Sequence, residues 1–423
     1  MTAEISVMNK LAVAMAADSA VTVVGKKVYN TSSKLFPVTH DLPIGIMFYG
    51  NAHLMNVPWE TVVADFRKSL KGKRFDHVKE CGEEFLRFLP TAKTLFSEES
   101  QKKIVFGFIR VVFQDHINKI DGNIKSAIEA KGQVTDIEVG QLVEQHFASE
   151  IAKWDQAAFV EGMDAAITKS ASKKYEKELE QIFVDTFQKL PVSTIFLESL
   201  VRLATNYIYK ALIFDVFRSG VVFCGFGESE KYPSLFSTEL DFVFDGVVKH
   251  TQPNLHSITD GSPASVHPFA QQDVVASFLK GIDPNFFSLI DGYMKTFFEQ
   301  LSTTLAGALP TDEGKKEELQ ALLENLKDSA PKAVMQKLEE VSQVSFVAPV
   351  MSAAQVLSKD DLAHMAEALV SLTSFRRKIS LDLDTVGGPI DVAVISKKDG
   401  FIWIKRKHYF DPKLNPHYFG REQ

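Results

Sequence analysis

Cysteine is scarce. The sequence holds only Cys81 and Cys224, far apart and without CxxC spacing. A disulfide framework and a thiolate zinc site are therefore not expected, and a reducing compartment, the cytoplasm, is the expected setting. The 11 histidines include no HxxxH or HExxH arrangement, so no metal and no other cofactor is anticipated. Long basic runs are missing too. The formal net charge is −7, and the one short cluster, Lys405 to Lys407, reads as a solvated strand end, so nucleic acid is not an expected partner. No apolar stretch approaches the roughly 20 residues of a membrane-spanning helix. Residues 11–17, LAVAMAA, are too short for a secretory leader and carry Glu4 with a single Lys10 where a basic flank is wanted.

What remains is ordinary globular composition, 45% hydrophobic and 24% charged, in a chain of 423 residues. That length suits two domains or one elaborated domain. Residues 2–49 read as closely spaced short strands separated by polar turns, the pattern of an antiparallel sheet. A helix is expected over 50–70, with Trp59, Val62, Val63, Phe66 and Leu70 near helical spacing. Residues 75–217 change character: Phe, Lys, Glu and Gln dominate, Gly and Pro thin out, and amphipathic helices are expected over 98–120, 137–154 and 175–189. Strand character returns at 220–227 and 240–248. A helix is expected over 266–280, and a charged helical stretch over 283–344. The end is regular again: an amphipathic helix over 359–374, then strands at 379–383, 390–396 and 401–405, the last two joined by a turn at Lys398-Asp399-Gly400. Sheet and helix alternate in blocks, which makes the fold class α+β.

The chemistry is at the front. Thr2 follows Met1, and a small second residue permits removal of the methionine. An N-terminal threonine supplies nucleophile and base in one residue: the hydroxyl attacks, and the free amine takes its proton. Asp18 lies sixteen positions after Thr2 and Lys34 thirty-two positions after it. An ammonium beside the hydroxyl favours its ionised form, and an aspartate holds that ammonium in place.

These residues carry a resemblance. The segment TAEISVMNKLAVAMAADSAVTVVGKKVYNTSSKLFPV is similar to the start of a mature proteasome β-subunit and of its bacterial two-ring homologue, with Thr, Asp and Lys at the family's offsets. IGIMFYGNAHLMNVPWETVVADFRKSL resembles the strand–Gly–helix segment that follows. GVVFCGFGESEKYPSLFSTE, ITDGSPA and DTVGGPIDVAVISKKDG resemble later family segments less tightly. The resemblance covers residues 2–75, 218–282 and 355–405. It implies a proteasome-like N-terminal-nucleophile (Ntn) core, a four-layer αββα sandwich, interrupted by mostly helical insertions at 76–217 and 283–354. The Phe spacing of the insertions reads most simply as core packing, with an oligomer contact or a lid as the sharper reading.

The resemblance also implies roles. Thr2 would be the nucleophile, Asp18 and Lys34 its supports, and Gly50, opening the first helix, or Asn51 beside it, the backbone oxyanion donor. Ser262 would assist the amine. The family's final Ser position is Val386 here, leaving Asp384 or Thr385 as substitutes. Val21, Ser32, Phe36, Phe48 and Ala52 would line an uncharged pocket that takes a hydrophobic residue on the acyl side of the cut. The implied activity is hydrolysis of an amide, first of all a peptide bond, through an acyl-threonine. The rivals are a small-molecule amidase of the same superfamily and a non-catalytic assembly subunit. A homo-oligomer is expected; whether an ATPase partner exists is open.

Overall fold

The computed structural model describes residues 3–23, 27–29, 33–187, 190, 193–307, 313–379 and 387–415. Helices and antiparallel sheets make up two compact units. One comprises Met1–Leu35, Lys231–Pro233 and Ser257–Gln423, the other Phe36–Glu230 and Ser234–His256.

The first unit is built on a five-stranded antiparallel sheet. Its strand order is Ala264–Pro268, Glu4–Asn9, Val13–Ala17, Asp391–Ser396, Gly400–Lys405. Alternation sorts the first strand: Ile5 and Val7 join Ala3, Ala12, Ala14, Ala16, Val392 and Val394 in a cluster under the helix Lys359–Ile379, which contributes Leu362, Ala363, Ala366, Leu369 and Val370. Four of the sheet's contributions are alanines, whose small side chains let the helix approach closely. The tight connection after the first strand is made by Asn9. Its Oδ1 accepts from the backbone N–H groups of Leu11 (2.9 Å) and Ala12 (3.2 Å), and its Nδ2 donates to the carbonyls of Ala354 and Leu357, each at 3.0 Å. A turn asparagine with donor and acceptor both used is fixed at both ends.

Two expectations are corrected here and a third is resolved into its elements. Residues 264–268 form an edge strand and the helix begins only at Gln272, because β-branched Val266 suits the ladder and Pro268 resists a helix interior. The final helix runs five residues past 374 and takes in Ile379, so a strand does not start there; residues 380–383 lie outside those described. The charged stretch from 283 is a pair of long helices, Pro284–Gly307 and Glu313–Ser342, followed by a π-turn and the short helix Ala348–Ala354.

The second unit carries a sheet whose main path runs Val247–His250, Ser234–Phe244, Ser219–Gly225, Ile44–Gly50, Leu35–Pro37; the chain crosses from the first unit within that last strand. The expected strand over 240–248 is two strands joined at Asp245-Gly246, both at positive φ, a tight hairpin turn. Helices Trp59–Leu70 and Val78–Phe88 pack through rings: Phe48 stacks on Trp59 with centroids 4.2 Å apart, and Phe66 meets Phe85 edge-on at 5.0 Å. Gly82 brings its helix so near Phe236 that a Cβ there would lie 2.4 Å from the ring. The helix expected from Gly50 begins at Trp59. A small hairpin, His53–Leu54 against Val57–Pro58, intervenes, its turn made by Met55 (φ 50°) and Asn56 (φ 68°).

Four long helices complete the unit: Glu98–Lys131, Asp136–Gln156, Ala165–Phe187 and Thr194–Tyr209. Side-chain caps begin three of them: Ser97, Ser193 and Thr135, the last in a reciprocal box with Glu138. Val105, Ile109, Phe113, Ile117 and Ile120 form the buried stripe of the first, against Phe147, Phe183, Phe187 and Tyr207. Phe113, Phe147, Phe183, Phe187 and Phe196 of this segment are core.

Candidate active site

Asp18 directly follows the strand Val13–Ala17, and the backbone ladder extends one step past it: the Asp18 N–H donates to the Ala3 carbonyl at 3.1 Å. The Asp18 carboxylate is saturated with donors. The Ala3 N–H reaches Oδ1 at 3.2 Å, the Gly387 N–H reaches Oδ2 at 3.0 Å, and the Lys34 ammonium reaches Oδ1 at 2.5 Å. Ser19 secures the same junction, its N–H donating to the Gly387 carbonyl and its hydroxyl to the Pro389 carbonyl.

Lys34 also lies 3.1 Å from Glu4, a residue the sequence reading did not single out. Asp18 is 1% exposed, Glu4 0% and Lys34 5%. An isolated charge buried so deeply would cost many kcal/mol, so each of these groups depends on the others. With all three ionised, the set carries two negative charges to one positive. The signal for Glu4 was parity. In an extended strand, residues 4 and 6 face one way and 5 and 7 the other, and Glu4 and Ser6 fall on the side away from the apolar stripe.

The other expected site residues are placed as follows. Thr2, Ser32, Asp384 and Thr385 lie outside the described residues. Covalent geometry alone ties Thr2 to the cluster, because its carbonyl carbon is bonded to the Ala3 nitrogen that Asp18 holds. Ser262 sits in an exposed turn closed on Thr259, whose Oγ1 accepts from the Ser262 N–H at 3.0 Å. Val21 belongs to a short strand paired with Lys27–Tyr29. In the second unit, Phe36 and Phe48 are buried in the aromatic core, Phe36 meeting Phe48 edge-on at 6.1 Å. Ala52 accepts from the Trp59 N–H. Gly50 ends its strand at φ +81°, nine residues before the helix, so no helix N-terminus acts at that position.

Two grooves in the second unit share Glu83, Leu86, Glu161 and His250, and neither is lined by Glu4, Asp18 or Lys34. That unit also buries a second ion pair, Lys249 with Asp241. The Lys249 ammonium donates to the Tyr207 carbonyl at 2.6 Å beneath the rings of Trp154, Phe214 and Phe242. Burial pushes Lys249 down to about 8 and Asp241 up to about 6, the desolvation outweighing their mutual attraction. Among the described residues, no three His, Cys, Asp or Glu side chains gather as a metal site, and no helix is long and apolar enough to cross a membrane.

Comparison with known proteins adds little. No protein-family model matches the chain, and no curated protein does. Among solved structures, the Gly-1 mutant of Anbu from Hyphomicrobium sp. strain MC1 is similar at a TM-score of 0.30 and 10% identity, over 100% of this chain and 94% of that one. A likeness that faint carries nothing about function, which rests on the geometry of the chain itself.

Proposed function

We propose that the chain is an N-terminal-nucleophile amide hydrolase, of the four-layer αββα kind, with Thr2 as nucleophile once the residue before it is removed. One observation carries the reading: Lys34 and Asp18 meet at 2.5 Å in a buried setting, and the same aspartate holds the N–H of the residue after Thr2. In this scheme the Thr2 hydroxyl attacks the amide carbon while its free amine takes the hydroxyl proton. Lys34 supplies fixed positive charge beside the reacting oxygen, and Asp18 fixes Lys34. Collapse of the tetrahedral adduct breaks the C–N bond, and the amine returns its proton to the leaving nitrogen. Water then attacks the acyl-Thr2 ester, with the amine again as base, and frees the acid and the threonine.

Peptides are the proposed substrates. Ser262 and Asp384 are the proposed supports of the amine. A homo-oligomer is the proposed assembly. The helix Pro284–Gly307 leaves Phe286, Leu289, Tyr293 and Phe297 exposed, an apolar face of the sort that partners cover. The deciding experiment is intact mass after incubation with a peptide epoxyketone, on protein whose N-terminus is Thr2. One adduct per chain, absent in Thr2→Ala, is the expected result; an unlabelled chain with the correct N-terminus refutes the proposal.

A further inference from the structure

We infer that Glu4 is a positioning residue for Lys34, the second of two carboxylates that fix the ammonium where the N-terminal chemistry needs it. The inference rests on the hydrolase reading of Thr2 and Lys34. A lysine side chain has a flexible four-carbon stem and three rotatable donors. One anchor, Asp18, limits the distance of the ammonium from one point but leaves it free to swing about that point. Glu4 supplies a second anchor at 3.1 Å from a different place in the sheet.

Its backbone is held on both sides. Glu4 pairs with Ala17, the residue before Asp18, and its carbonyl accepts from the Phe269 N–H at 3.0 Å. Both carboxylates therefore spring from neighbouring rungs of one ladder, and the ammonium that bridges them inherits the rigidity of the sheet. Preorganised charge of this kind acts without reorganising during the reaction. Stability alone does not account for Glu4. A buried ion pair is weak evidence for stability, since replacing the whole pair by apolar residues of similar volume is often neutral or stabilising. Asp18 already gives Lys34 one opposite charge, so the second is surplus to neutralising it.

The test uses the full chain with Thr2 at its N-terminus and measures epoxyketone labelling, split into inhibitor affinity and the first-order rate of adduct formation. Unfolding midpoints are recorded for every variant. Glu4→Gln keeps the shape and removes the charge. It is expected to slow adduct formation by about tenfold or more, with affinity within about twofold. Glu4→Asp, which keeps the carboxylate on a shorter arm, should fall between wild type and Gln, and it decides the matter if Gln does not fold. Wild-type labelling rates in both variants would overturn the inference and leave the Thr2 reading standing. So would a loss of rate that merely follows a loss of affinity and of unfolding midpoint. A wild-type chain that takes no label removes the hydrolase reading and the inference with it.

Discussion

The ammonium of Lys249 lies 3.1 Å from the carboxylate of Asp241, with the two side chains 1% and 0% exposed. Removing one partner strands the other in a shell of Trp154, Phe214 and Phe242. Lys249→Met should therefore destabilise the second unit by about 3–5 kcal/mol. Adding Asp241→Asn, which can still accept from the Phe214 N–H, should recover a large part of that loss. Urea unfolding of the two single variants and the double variant checks this; additive losses would contradict it.

His116 Nδ1 and His146 Nε2 stand 2.9 Å apart between two long helices, one able to donate to the other while at least one ring is neutral. Burial, and then the neighbouring imidazole, lower the proton affinity of His116; burial, and then Lys119, lower that of His146. Glu150 and Asp115 act in the opposite sense on both. The folded state therefore resists a proton that the unfolded chain accepts near pH 6.5. The contribution is fully present above that pH and is lost as pH falls below it. Unfolding free energy should drop more steeply from pH 7 to 5 in wild type than in His116→Gln/His146→Gln, and parallel curves would refute the assignment.

Gly50 has φ +81°, and a Cβ there would lie 2.4 Å from the Arg218 carbonyl oxygen. Gly50→Ala meets both a left-handed backbone and a contact with main chain that cannot rotate away. A loss of about 1–3 kcal/mol is expected in denaturant unfolding, whatever part Gly50 takes in the chemistry.

Asp18→Asn keeps the size of the side chain, removes the charge opposite Lys34 and leaves a single oxygen where the Ala3 and Gly387 N–H groups now reach two. Epoxyketone labelling should fall by about 100-fold or more, while circular dichroism stays that of wild type. Labelling within a few-fold of wild type would show that the ion pair serves the fold alone.

Much of this was legible in the sequence. The strands at 4–9 and 13–17 announce themselves by short apolar runs with a polar break, and the family resemblance, through the offsets of Asp18 and Lys34, pointed to a pair that does meet. The long helices of residues 98–187 followed from periodicity and the scarcity of Gly and Pro. Glu4 was missed because a glutamate near a chain start reads as solvated; its partner arrives from thirty positions away. The hairpin before Trp59 was missed because Met55 and Asn56 take left-handed conformations without a glycine to signal them. The carboxylate's third donor, Gly387, is fixed by sheet order, which local pattern does not encode.

That last donor has a kinetic consequence. Gly387 is 369 positions from Asp18, and the strand Val13–Ala17 finds its second neighbour in Asp391–Ser396. At a synthesis rate of about 5–20 residues per second, roughly 20–70 s separate the two halves of this ladder as the chain leaves the ribosome. Closing so long a loop is entropically late and slow in any folding route. The donor set of Asp18 is thus completed among the last events of folding, so that, on the proposed function, a nascent or half-folded chain lacks a finished site.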